Sequence, residues 1–229
     1  MTALQPVFVH GWACGPEIWN AVLAHLEMPH ACVVDQGYFS GWSEDASAVS
    51  CLTGLDMNRP ILGVGHSLGL MWLLSQRKWP QGSRFVGINA FGRFAAGVDF
   101  PEGVAARVLA RMQAGLGRDA GAVVNSFRAR CGLDAVDPAT CHVSALQDGL
   151  SLLATGNVYA QMEQMVAHGS TRMVALAGKQ DPIVTERMTE AAFPSNIEKV
   201  WHEDGGHMMP LTHPEFCVAH IQRLMTEAV

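Results

Sequence analysis

Residues 60–69 read Pro60-Ile61-Leu62-Gly63-Val64-Gly65-His66-Ser67-Leu68-Gly69, and two patterns meet in them. An apolar run bounded by proline and glycine marks a short buried strand. The last five residues match G-x-S-x-G, which turns a strand sharply into a helix and lifts a serine hydroxyl to the edge of a sheet. Glycine flanks the serine because larger side chains would clash in so tight a turn. The pattern alone arises by chance in roughly one chain in ten of this length, so context decides. Here the strand precedes the motif and Leu68 to Lys78 follows as an apolar helix, which is the setting the motif requires.

Working outward, Pro6-Val7-Phe8-Val9 reads as a strand feeding the loop His10-Gly11-Trp12. Ile18, Trp19, Val22, Leu23 and Leu26 recur at helical spacing. Residues 31–35 form a second short strand, 45–56 a helix, and Arg84 to Asn89 a fourth strand. From about residue 92 to 168 the periods are helical. Strands resume with Thr171 to Gly178 and Ile197 to His202, before a final helix from His213. Strands alternating with helices predict an α/β domain, a mostly parallel sheet with helices on both faces. The expectation is one domain over 1–229, with 92–168 as a helical lid insertion, since structureless loops of that length are rare.

A serine hydroxyl needs a base to remove its proton, and an imidazole held by a carboxylate does this near neutral pH. Downstream of Ser67, Gly178-Lys179-Gln180-Asp181 sets an aspartate in the loop after one strand, and Asp204-Gly205-Gly206-His207 sets a histidine in the loop after the next. Serine, acid, histidine is the chain order that accompanies G-x-S-x-G. Rival assignments are Asp181 as a helix cap, Asp204 as the acid, and His202 or His213 as the base. His10 and His66 flank the site as loop-shaping residues. The oxyanion of the tetrahedral intermediate needs backbone N–H donors. Leu68, directly after the nucleophile, and Trp12, in the loop after the first strand, are the candidates.

Other chemistries lack their signatures. The ten histidines are scattered without H-E-x-x-H spacing, so no metal is expected. A phosphate loop and a dinucleotide fingerprint are missing, so no cofactor is expected. A net charge of −6 argues against general nucleic-acid binding. No apolar run reaches the ~18 residues of a membrane span, and Met1 to Gln5 carries no signal-peptide pattern. A cytoplasmic monomer with six reduced, partly buried cysteines is expected.

Taken together, Val9-His10-Gly11-Trp12, Gly65-His66-Ser67-Leu68-Gly69, Gly178-Lys179-Gln180-Asp181 and Gly205-Gly206-His207 resemble the α/β-hydrolase superfamily. The stretch Gln113 to Phe127, Leu146 to Leu153, and His213-Pro214-Glu215-Phe216-Cys217 narrow the likeness to the pimeloyl-[acyl-carrier protein] methyl ester esterases of biotin synthesis. That resemblance implies a serine carboxylesterase that removes a methyl group from a pimeloyl chain held on acyl carrier protein. It also implies a substrate contact at Phe127. Met112, Leu116 and Trp12 are further candidates to line the substrate site. Relatives hold the carrier with lid arginines. Two such positions are Ala122 and Ser126 in this chain, while Arg107, Arg111, Arg118, Arg128 and Arg130 lie nearby. Six arginines against three acids between residues 93 and 130 suit an acidic partner. The chain starts close to its first strand, so the family's first hairpin is expected to be missing. The rivals are a general carboxylesterase or thioesterase, a carbon–carbon bond hydrolase, and a non-catalytic binding protein on the same scaffold. A haloalkane dehalogenase is disfavoured, because it would need aspartate where Ser67 stands.

Overall fold

Apolar strands that alternate with amphipathic helices can satisfy their backbones and bury both faces only as a parallel sheet between helical layers. A computed structural model, which describes residues 4–40, 52–167, 169 and 171–226, has this arrangement. Its strands are β1 (Gln5–Val9), β2 (Cys32–Val34), β3 (Ile61–His66), β4 (Arg84–Ile88), β5 (Arg172–Gly178) and β6 (Glu198–His202). They lie in the order β2-β1-β3-β4-β5-β6, with every neighbouring pair parallel. Residues 45–51 of the helix expected over 45–56 lie outside the described residues; Leu52 and Thr53 are helical.

Side chains alternate across the sheet with the period of two that a strand imposes. Val7, Val9, Ile61, Phe85, Met173 and Ala175 point to one face. There they meet Leu70, Met71, Leu73 and Leu74 of α2 (Leu68–Gln76). Phe8, Leu62, Val64, Val86, Ile88, Val174 and Leu176 point to the other. They pack with Val22 and Leu26 of α1 (Asn20–Leu26) and with residues of the C-terminal helix. The expected helix over 16–26 starts as a 3-10 turn, Pro16–Trp19, before continuing as α1.

Between β4 and β5 the chain forms α3 (Ala106–Leu116), α4 (Ala120–Arg130), α5 (Val143–Thr155) and α6 (Tyr159–Ala167). No strand of the sheet comes from this segment among the described residues. After β5 come α7 (Glu186–Ala192), α8 (Met209–Thr212) and α9 (Pro214–Thr226). Among the described residues no helix is long and apolar enough to cross a membrane. Cys14, Cys131, Cys141 and Cys217 are free thiols. Cys32 corrects the expectation of reduced cysteines throughout, because it is disulfide-bonded.

The strand order fixes where a site can form. The chain runs from β1 outward to β2, then returns to place β3 on the other side of β1. Loops leaving β1 and β3 therefore part in opposite directions and open a crevice at their carboxyl ends, where open parallel sheets bind ligands. His10-Gly11-Trp12 follows β1 and Ser67 follows β3.

Candidate active site

Ser67 sits between β3 and α2 with φ 53° and ψ −122°. An L-residue at positive φ is strained and persists only where its surroundings enforce it. The enforcement is visible in the flanking glycines. A Cβ on Gly65 would collide with the Leu70 backbone nitrogen, and one on Gly69 with the Val9 carbonyl oxygen. The turn is thus clamped between α2 and β1. Leu68 opens α2, so its amide has no intrahelical acceptor and lies at the positive end of the helix dipole.

Asp181, in the loop after β5, is buried and accepts four hydrogen bonds. Its Oδ2 takes His207 Nδ1–H at 2.8 Å and Asn89 Nδ2–H at 2.5 Å. Its Oδ1 takes the amides of Ile183 and Val184 at 2.7 and 2.9 Å. Burial alone would raise the carboxyl pKa, but the His207 imidazole and these donors outweigh it and hold the pKa below the usual carboxylate value. The helix-cap rival for Asp181 is filled by another residue. Thr185 caps α7 by accepting from the Met188 amide.

His207 is itself buried. With Nδ1–H committed to Asp181, its Nε2 is left as the basic nitrogen. Its carbonyl accepts His66 Nε2–H at 2.9 Å, which ties the base loop to the residue just before Ser67. Burial, then the neighbouring His207, push the His66 pKa down to about 3, so His66 is a neutral donor. Ser67 Oγ and His207 are not hydrogen-bonded in the structure, a contact that is often long in unliganded sites and closes on substrate. The rival histidines lie elsewhere. His202 lies tilted against the His213 ring at 4.1 Å and edge-on to Phe216 at 4.9 Å, beside α9. Asp204 is exposed.

Asn89 was not among the candidates from sequence. It directly follows β4 at φ 49°, is 1% exposed, and also donates to the Gly206 carbonyl at 3.2 Å. It therefore braces both the acid and the loop of the base. The signal for it is local: a polar residue directly follows the apolar run Phe85 to Ile88 at the sheet's carboxyl edge.

The loop after β1 is held from several sides. His10 Nδ1–H donates to the Gly11 carbonyl at 2.9 Å, and its Nε2 accepts the Gln36 amide at 3.0 Å. Trp12 is buried, and its indole N–H donates to the Leu146 carbonyl on α5 at 2.9 Å. Phe127 of α4 packs edge-on to Trp12 at 4.9 Å. Ala13, at φ 55°, has its carbonyl taken by Arg128 Nη1–H at 2.8 Å.

Ser67 opens into a cavity of about 240 Å³ lined by Trp12, Phe94, Leu109, Met112, Phe127, Arg130, Leu153 and other apolar residues. Two expectations are corrected here. Leu116 is buried in the core and does not line the cavity. Arg128 is 8% exposed; its guanidinium also donates to the Asp134 carbonyl at 2.7 Å and lies over the Phe39 ring. It faces inward and cannot meet a docking partner. Arg107, Arg111, Arg118 and Arg130 are exposed.

Residues 7–220 match the Alpha/beta hydrolase family. No curated protein matches the sequence. Among solved structures, a bromoperoxidase from Bacillus anthracis superposes with a TM-score of 0.74 at 17% identity, over 99% of this chain and 93% of that one. An esterase from Exiguobacterium antarcticum gives 0.74 at 14%, over 99% and 94%. A thermophilic esterase from Thermogutta terrifontis gives 0.70 at 14%, over 97% and 89%. Identities this low speak to fold alone.

Proposed function

Because the chain belongs to the alpha/beta hydrolase family, we propose that it is a serine carboxylic ester hydrolase working through Ser67, His207 and Asp181. The observation that carries this reading is the buried 2.8 Å His207–Asp181 hydrogen bond beside a serine in a strained turn. Ser67 Oγ attacks the ester carbonyl as His207 Nε2 takes its proton. Asp181 fixes the imidazole tautomer and offsets its charge. The Leu68 and Trp12 amides face the oxyanion. The alcohol leaves with the proton returned by His207, and water repeats the sequence to free the acid.

Fluorophosphonate labelling and hydrolysis of an activated acetate ester test this together. Ser67 should be labelled, and Ser67→Ala should lose labelling and on the order of 10⁶ in kcat. A protein that neither labels nor hydrolyses any ester would instead be a binding module on a hydrolase scaffold.

In its finer form, the substrate is the methyl ester of a pimeloyl chain on acyl carrier protein, handled by a cytoplasmic monomer under the helical segment 92–168 as lid. The motif resemblance and the exposed Arg107, Arg111, Arg118 and Arg130 support it. A general carboxylesterase or thioesterase for small free esters is the second reading. The burial of Arg128, which removes one cation from any docking face, favours it. Rates on the carrier-bound ester and on free dimethyl pimelate separate the two.

A further inference from the structure

Arg130 is the charged side chain among the residues that line the Ser67 cavity; apart from Ser67, the other lining residues are apolar or aromatic. It ends α4, where a cation suits the helix dipole. That accounts for a positive charge but not for the position of its head. Its Nη2–H donates to the Pro182 carbonyl at 2.8 Å. Pro182 directly follows Asp181, so this hydrogen bond ties the guanidinium beside the site although the side chain is exposed. No carboxylate lines the cavity, and no ion pair to Arg130 occurs among the described residues. A guanidinium has five N–H donors in a planar fork, and one is spent on Pro182. The rest suit a planar oxyanion, which Arg binds in bidentate fashion.

An apolar cavity with one placed cation is the usual form of a site that orients a ligand by a single polar group. The cavity volume of about 240 Å³ lies below the roughly 300–1,000 Å³ of pockets for drug-sized ligands, so the ligand is short. We propose that Arg130 anchors a carboxylate of the substrate, and that the preferred substrate is a short ester carrying a carboxylate at the end remote from the ester carbonyl. This rests on the ester-hydrolase reading of the cavity, not on a carrier-bound substrate.

Monomethyl glutarate and methyl hexanoate, similar in length and differing in charge, form the test pair. Kd for both is measured by ligand-observed NMR on Ser67→Ala, on Ser67→Ala with Arg130→Gln, and on Ser67→Ala with Arg130→Lys. The expected result is tighter binding of monomethyl glutarate, by on the order of tenfold. Arg130→Gln should abolish that preference and Arg130→Lys should keep part of it, because lysine retains charge but not the fork. About 0.5 M salt should weaken it. An equal charged-to-neutral ratio with and without Arg130, or no binding of either ester, overturns the proposal. Turnover of the pair by the intact enzyme is the separate arm. Binding with the expected preference but no hydrolysis would sink the ester-hydrolase reading and leave the carboxylate anchor standing.

Discussion

The loops leaving β3, β4, β5 and β6 and the helices between β4 and β5 meet at Ser67, yet they are held by different forces. The loops are a polar lattice. Asp181 has its four donors, Asn89 bridges the acid to Gly206, and His66 bridges the base loop to the nucleophile turn. Two of their residues, Ser67 and Asn89, sit at positive φ. The helical segment is an apolar wall that supplies Met112, Phe127 and Leu153 to the cavity. Its polar ties to the loops around Ser67 include Trp12 to Leu146, Arg128 to Ala13 and Arg130 to Pro182. Under the proposed ester-hydrolase mechanism, the contrast puts the rate in the loops and the choice of substrate in the segment. Substitutions in the first should move kcat, and those in the second should move KM or stability.

The sharpest break is Asp181→Asn. Losing the carboxylate should misassign the His207 tautomer and lower kcat by about 10⁴, with the fold intact by circular dichroism. A small loss would mean that another group orients the base.

Within the segment, Leu116→Ala and Met112→Ala should part company although both residues sit on α3. Leu116 is core, so its truncation should cost about 2–5 kcal/mol in denaturant unfolding with KM unchanged. Met112 lines the cavity, so its truncation should shift KM. The reverse pattern would relocate the substrate cavity.

Arg128→Met tests the boundary itself. It leaves the Ala13 and Asp134 carbonyls without their donor, at a cost of about 1–3 kcal/mol, and frees the Trp12 loop. Stability and kcat should fall together. Stability loss alone would show that the clamp does not reach the oxyanion donor.

The last comparison concerns acid. His66 falls from 6.5 to about 3 in the folded protein, so the folded state resists its protonation. Its contribution is fully present above pH 6.5 and declines as the pH drops towards 3. Each unit in that window should cost up to about 1.4 kcal/mol. Asp181 adds loss in the same direction only below its ordinary value of 3.8. Unfolding curves between pH 4 and 6.5 should therefore flatten in His66→Gln; an unchanged slope would show that other groups govern the acid response.

Much of the loop lattice was legible in the sequence, because its signals are local. Gly65 to Gly69 encode their own turn, and buried parallel strands read as unbroken apolar runs. What escaped depends on partners distant along the chain. Asn89 could be seen to end a strand, but its acid lies 92 positions on. Arg128 belongs to a basic stretch that reads as a solvated face, and only the Ala13 carbonyl, 115 positions away, turns it inward. Met112 and Leu116 share one helical stripe by i,i+4 spacing. Which of them meets the cavity depends on how α3 is seated, and periodicity carries no information on that.

The helical segment leaves from β4 and returns to β5, and those two strands are hydrogen-bonded neighbours. A segment inserted at that junction leaves the sheet as it is, so a different helical segment could be plugged in there without disturbing strand pairing. The wiring across that junction is the constraint. A replacement segment would have to bring its own acceptor for the Trp12 indole and its own donor for the Ala13 carbonyl. Otherwise it would fit the sheet and still leave the Trp12 loop adrift, so under the proposed mechanism grafts chosen by shape alone should give folded but idle proteins.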